Sequence, residues 1–322
     1  MKLVCAHLVL MLLLLTPAAA GGDAVSFGPG TVISSSDLPR AMRQDSKRSQ
    51  TISPRDFDGY LRGLPELILD GAILQVTLDA SDNYTGGETI SASRIALVNG
   101  AKIVTHGIDL VINASVLEVG DGAKLVTFDE PSPRPAATGQ SGLSGRAGGT
   151  VLLNVSSLKA TSPFIVDLSG ESGQDGGAGM DGLPGVHGSF GEPSFSPEKL
   201  FLRCIRPAGD GGPGGRGGPG GPGGRGGAGG DGGYLILRGA IAKARLDIVF
   251  IATGGTGGDG GPGGQGGVGG PGGPGGQRAS GCPGGRDGPT GIPGEPGPQG
   301  TAGRSGQTGS IRAESTGGGN SR

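Results

Sequence analysis

The chain has 322 residues, of which 75 are glycine and 24 proline, close to a third of the molecule. That proportion excludes an ordinary globular domain and marks a low-complexity chain unless a strict period organises it. Aromatic residues are 3%, Trp is absent, and the net charge is -2 with 17% charged residues; a cofactor pocket, a base-stacking platform and a nucleic-acid-seeking surface all lack material.

The first element in chain order is an export signal. Lys2 gives a short positive region, Leu8 to Leu15 an unbroken apolar core, and Ala18-Ala19-Ala20 the small-residue pattern at which signal peptidases cut, placing cleavage between Ala20 and Gly21. The apolar core ends at Thr16-Pro17, short of the roughly 20 residues a membrane span needs. Cys5 leaves with the signal, so the mature chain holds Cys204 and Cys282 in a compartment where disulfides persist.

Residues 21–62 hold little apolar periodicity and collect Arg40, Arg43, Lys47, Arg48 and Arg55 among Ser, Asp and Gln, which reads as a flexible linker. From 63 onward short runs of Val, Ile and Leu alternate with the turn dipeptides Asp70-Gly71, Asn99-Gly100, His106-Gly107 and Asp121-Gly122. Gly100-Ala101-Lys102-Ile103-Val104-Thr105 returns as Gly122-Ala123-Lys124-Leu125-Val126-Thr127, a period of 22. Short apolar strands at such a period predict the stacked coils of a parallel β-helix, over 63–138. Val111-Ile112-Asn113 returns as Leu152-Leu153-Asn154, which would bring two Asn side chains into register at a corner; both Asn also fit the N-x-Ser/Thr pattern.

After Gly139 the glycines fall into period three. Runs with one glycine per triplet cover 170–191 and 288–309; runs with two cover 211–233 and 254–276. Segments 151–158, 163–168, 200–205, 234–241 and 246–252 read as strands between them. Gly149-Thr150-Val151 aligns with Gly233-Tyr234-Leu235, and Gly170-Glu171-Ser172-Gly173 with Gly254-Gly255-Thr256-Gly257, both at an offset of 84, so strand, strand and glycine run form one module over 139–280.

A left-handed extended helix has three residues per turn and rises about 3.1 Å per residue, so glycine at every third position leaves one bare face where backbones can touch. A run of about 24 residues would reach about 74 Å. Tied to strands at both ends, an internal run must come back as a hairpin, which a collagen rod cannot do. The last run, with Gly294-Glu295-Pro296-Gly297-Pro298-Gln299, keeps a nearly free end and reads as a collagen-like tail over 281–322. Two glycines per triplet place 211–234 and 254–277 inside a bundle and 170–191 at its edge. Met180, Leu183 and Val186 fall three apart and are expected to dock as an apolar stripe on the solenoid. The opposing expectation, disordered glycine loops, follows from the entropy glycine loses on ordering.

Residues that suggest chemistry are sparse. Gly254-Gly255-Thr256-Gly257-Gly258-Asp259 opens like a calcium repeat, but Gly261 stands where that repeat needs a large apolar residue. His106 and His187 stand apart from other ligands, and Asp121, Asp129 and Glu130 lie near turns without sugar-stacking aromatics. No catalytic residue, metal ligand or cofactor is expected. Cys204 and Cys282 pair as a disulfide, remain free thiols, or bridge two molecules; the first would hold the terminal glycine segment against the body.

The Gly-x-y run resembles bacterial secreted collagen-like proteins, and the Gly-Gly-x runs resemble the polyglycine II bundles of tailed-phage adhesins and springtail antifreeze proteins. This likeness covers 139–309 and is one of period. Joined to the coils read from the 22-residue period, it gives an all-β fold, a parallel β-helix with inserted polyglycine II or collagen-like segments. The expected function is a non-catalytic, secreted or cell-surface structural or adhesive protein. Its partners would be a surface polysaccharide, matrix or other cell-surface component, with no nucleic acid and no membrane span, as a monomer or a C-terminal trimer. A carbohydrate-active β-helix enzyme and an ice-binding protein are the alternatives.

Overall fold

The computed structural model describes residues 24–43, 59–77, 87–129, 135–195, 204–243 and 247–314. The expected signal peptide, with Ala20 and Gly21, lies outside them.

Among the described residues the fold is nearly all β, in two parallel sheets. One contains β1 (Ala24–Phe27), β3 (Glu66–Asp70), β5 (Glu88–Val98), β7 (Leu110–Val119), β9 (Thr150–Ala160), β11 (Tyr234–Gly239) and β13 (Ser310–Glu314), in that spatial order. The other contains β2 (Val32–Ser34), β4 (Ile73–Gln75), β6 (Lys102–Val104), β8 (Lys124–Val126), β10 (Phe164–Asp167) and β12 (Ile248–Ile251). Odd strands lie in one sheet and even strands in the other, so each consecutive pair is one coil of a solenoid. The sharp corners between them fall at Gly71, Gly100 and Gly122, with φ of +60°, +77° and +72°. Asn99, at φ +54°, is one of the residue types that tolerate this region.

Stacking in register explains the repeats. Ile103 sits opposite Leu125 and Leu97 opposite Val119, each one period of 22 along the chain. Inward positions form ladders, such as Leu74, Ile103, Leu125 and Val166 in the second sheet. Leu67, Leu97, Leu117, Leu153, Phe164 and Leu237 are at most 1% exposed and belong to one continuous core. Each such side chain contributes about 1.5–3 kcal/mol relative to exposure. Asn113 pairs with Asn154 in mid-strand rather than at a corner: Asn154 Nδ2 donates to Asn113 Oδ1 (3.3 Å) and Asn113 Nδ2 to Ser91 Oγ (3.1 Å).

From β9 onward each coil carries a long excursion. Glycine run 2 (170–191) leaves β10 and run 3 (209–233) returns into β11; run 4 (254–276) leaves β12 and run 5 (285–309) returns into β13. Run 1 (139–148) leads into β9. Runs 1, 3 and 5 extend the first sheet, and runs 2 and 4 the second. Backbone N–H groups bridge them at every third residue. Gly170, Gly173 and Gly176 donate to Thr253, Thr256 and Asp259 along one layer, and Gly211, Gly214 and Gly217 to Arg286, Pro289 and Ile292 along the other. Across the layers Gly212, Gly215 and Gly218 donate to Ser189, Val186 and Leu183, and Gly264, Gly267 and Gly270 to Gly221, Gly218 and Gly215. Neighbours within a layer are parallel and those across layers antiparallel. The module offset is the stacking register here too: Tyr234 lies opposite Thr150 and Ile248 opposite Phe164.

The structure corrects four expectations. Part of the expected flexible linker is built into the solenoid: β1 pairs with β3, β2 pairs with β4, and Leu38 and Met42 are buried in the core. The expected collagen-like tail is run 5 of the same bundle, its glycines from Gly288 to Gly306 donating to run 4. The faces a collagen trimer would need are used within the chain. Of the expected strand at 200–205 only Cys204 and Ile205 are described, and they lie outside any strand, beside an antiparallel bridge between Phe195 and Arg206; 200–203 lie outside the described residues. The fourth concerns Met180, Leu183 and Val186, which do not dock on the solenoid; they are 67%, 78% and 75% exposed.

Candidate functional site

The excursions form one arm of five laterally bonded runs, about 70 Å long at the rise of an extended helix. Its interior is backbone. A Cβ on Gly214, Gly217 or Gly220 in run 3 would stand under 3.0 Å from a carbonyl oxygen of run 4, closer than real Cβ atoms approach. Run 3 bonds to each of the other four runs, and run 5 only to runs 3 and 4. Two bare positions per triplet permit the first placement, and one is enough for the second.

What the arm shows to solvent is its third positions. Pro213, Pro219, Pro222, Pro262, Pro271 and Pro274 are all exposed, as suits a residue with no N–H to offer a neighbour. The polar side chains there clip adjacent coils together. Thr253 and Thr256 donate to Ser169 and Ser172, each at 3.0 Å. Asp175 and Asp181 accept from the backbone of Asp259 and Gln265 at 2.7 Å. On the opposite face Asp210 and Asp231 do the same for Arg286 and Gln307, and Arg216 pairs with Glu295 at 2.9 Å.

Two further features fix the arm's ends. At the far end a disulfide joins Cys204 to Cys282, with Cα atoms 4.9 Å apart, and so ties one hairpin tip to the next. At the base Arg146 of run 1 donates through Nε and Nη2 to the two carboxylate oxygens of Glu171 in run 2, at 2.9 and 3.2 Å. The Arg146 guanidinium also lies 4.7 Å from the centre of the Phe128 ring. The hydrogen bond from Arg146 holds the Glu171 carboxyl below the usual carboxylate range, against a smaller opposing effect of burial.

In two hollows among the described residues of the body the acids are committed. One, of about 190 Å³ beside the arm's base, is lined by Thr127, Phe128, Asp167, Ser169 and Glu171. Asp167 accepts from the Ser169 backbone and hydroxyl, and Glu171 is held by Arg146. In the other, Arg94 bonds Glu66 at 2.9 Å and Glu118 at 2.6 Å, which lowers the Glu118 carboxyl and raises the guanidinium. A carboxyl held ionised by a guanidinium is the reverse of the raised group a general acid needs. Among the described residues no three His, Cys, Asp or Glu gather as metal ligands, and no helix is long and apolar enough to cross a membrane.

No family model and no curated protein matches the chain. Sequence reasoning singled out the cysteines and the apolar stripe, and the structure brings the cysteines together and leaves the stripe in solvent. It missed the Arg146–Glu171 clamp and the Arg94 triad, because each pairs residues whose nearness depends on coil register. For Glu118 the signal was present: Arg94 and Glu118 differ by one 22-residue period plus two, the diagonal neighbours of one sheet face.

Proposed function

We propose that this is an exported, non-catalytic structural or adhesive protein in which a β-solenoid stem holds out an arm of polyglycine II helices. The observation that carries the reading is the hydrogen bonding of the runs. Their backbone groups are used on one another at every third residue, while the residues between are exposed in ordered rows. Such an arm gains little from a mobile loop's adaptability and much from stiffness, because surface rows at fixed spacing match repetitive partners. The export-signal pattern at 1–20 and the disulfide between the hairpin tips fit a secreted or cell-surface location. Surface polysaccharide or extracellular matrix is the partner class: weakly charged, repetitive and extended.

The test is co-sedimentation of the mature protein with insoluble polysaccharides and matrix polymers, with reducing ends measured in the same tubes. Saturable binding without release of reducing ends is the expected result. Turnover would replace this reading with a carbohydrate-active enzyme, and thermal hysteresis without polymer binding would replace it with ice binding.

A further inference from the structure

Run 1 covers only the inner half of the arm. It enters at Gly139, where φ is +73° and the Gln140 N–H bonds Ala137 O at 2.9 Å; the chain just before this turn lies against run 2, Ala136 and Gly139 donating to Asp175 and Ala178. From there Gly142, Gly145 and Gly148 donate to the carbonyls of Arg225, Ala228 and Asp231 in run 3, and Gln140, Leu143 and Arg146 carbonyls accept from Gly177, Gln174 and Glu171 in run 2. Further out the same two rows continue uncovered. The N–H groups of Met180, Leu183 and Val186 and the carbonyls of Arg216, Pro219 and Pro222 make no bond among the described residues, though they occupy the equivalent register.

Two glycines of this shelf, Gly218 and Gly221, are also more open than those beneath run 1, whereas at Gly215 the Val186 side chain already fills the space. Where run 1 lies, a Cβ on Gly224, Gly227 or Gly230 would collide with its carbonyls. Past its end, a Cβ on Gly218 or Gly221 meets nothing nearer than 3.1 or 3.2 Å. The side chains of Met180, Leu183 and Val186 flank the row and are largely exposed.

We propose that this shelf binds an extended chain with glycine at every third residue, seated where a longer run 1 would lie, parallel to run 3 and antiparallel to run 2. The inference gives this shelf a guest of its own, apart from the partner of the exposed rows, and rests on the arm being an ordered bundle. Main-chain bonds at each triplet supply affinity, as when a strand is added to a sheet edge. Only glycine permits backbone contact against Gly218 and Gly221 at run 1's depth. The apolar side chains then cover the guest's flank.

The probe is a labelled peptide repeating the triplets of 139–147, with a scrambled peptide that breaks the glycine period as control, titrated by fluorescence anisotropy against the full mature protein. The double variant Leu183→Pro/Val186→Pro deletes two donors, suits an extended helix, and leaves both carbonyls free to accept from Gly218 and Gly215. Saturable binding of the periodic peptide alone, weakened about tenfold in the double variant, is expected. Absence of binding, equal binding of the scrambled peptide, equal binding to the variant, or a dimer in sedimentation whose formation excludes the peptide would each overturn the proposal. Melting of Gly264→Ala in parallel separates the two readings. A lowered melting temperature with no peptide binding defeats the docking alone, whereas an unchanged one defeats the ordered arm.

Discussion

The carbonyl oxygen of Met180 occupies the space that a side chain on Gly264 would need: a Cβ built there stands under 3.0 Å from it, closer than real Cβ atoms come. Gly264 also donates to Gly221, so neither backbone can retreat without losing bonds on both sides. Gly218, in the same bundle, meets Leu183 N at 3.1 Å and Leu183 O at 3.2 Å and nothing nearer. Gly264→Ala should therefore cost at least about 2 kcal/mol, as overpacking does, and Gly218→Ala less than about 1 kcal/mol. Thermal unfolding by circular dichroism measures both. Equal, negligible shifts would mean that the runs do not pack.

Reduction of the Cys204–Cys282 bond should loosen the far end of the arm while sparing the stem. The bridge spans a sequence separation of 78, for which the chain-entropy relation gives about 4.5 kcal/mol against the unfolded chain. Denaturant unfolding with and without reductant should show a lower midpoint in the reduced protein. Limited proteolysis should cut first within 192–209. Unchanged midpoints and cleavage patterns would assign the bond no stabilising role.

Acid should weaken both the arm's base and the solenoid stem. The carboxyls of Glu171, Glu118 and Glu314 lie below the ordinary range in the folded protein, chiefly through hydrogen bonds from Arg146, Arg94 and Arg238. A carboxyl depressed by folding adds stability above its unfolded pKa and loses it as pH falls through the folded one. The melting temperature should thus fall from about pH 5 downward, with high salt reducing the effect. Glu171→Gln, which keeps an acceptor but cannot ionise, should flatten part of that slope and expose 135–148 to protease at neutral pH. An unchanged slope would show that the clamp is not formed in solution.

Periodicity made the stem and the module readable. The 22- and 84-residue repeats are pairing registers, so matching residues such as Ile103 and Leu125, or Thr150 and Tyr234, are ladder neighbours. What failed was information carried by neighbours. Val32-Ile33-Ser34 is too short to announce a strand and becomes one because β4 offers it a partner. Gly288 to Gly309 has the local pattern of collagen, yet a run at the edge of a stack needs the same single bare face. Met180, Leu183 and Val186 do share a face, but triplet spacing cannot say which side the stem lies on.

That difference between a shared face and a buried one sets the last prediction. Phe164 is fully buried in the solenoid core, beside the ladder of Leu125 and Val166. Truncating it to Ala should cost about 3–5 kcal/mol, from lost transfer energy and the cavity left behind. Met180, Leu183 and Val186 are apolar too, but most of each side chain already meets water, so folding gains little from them. The triple change Met180→Ser, Leu183→Ser and Val186→Ser should stay within about 0.5 kcal/mol of the parent. Urea unfolding of both variants decides the matter: a triple variant as unstable as Phe164→Ala would return the stripe to a docked position on the stem.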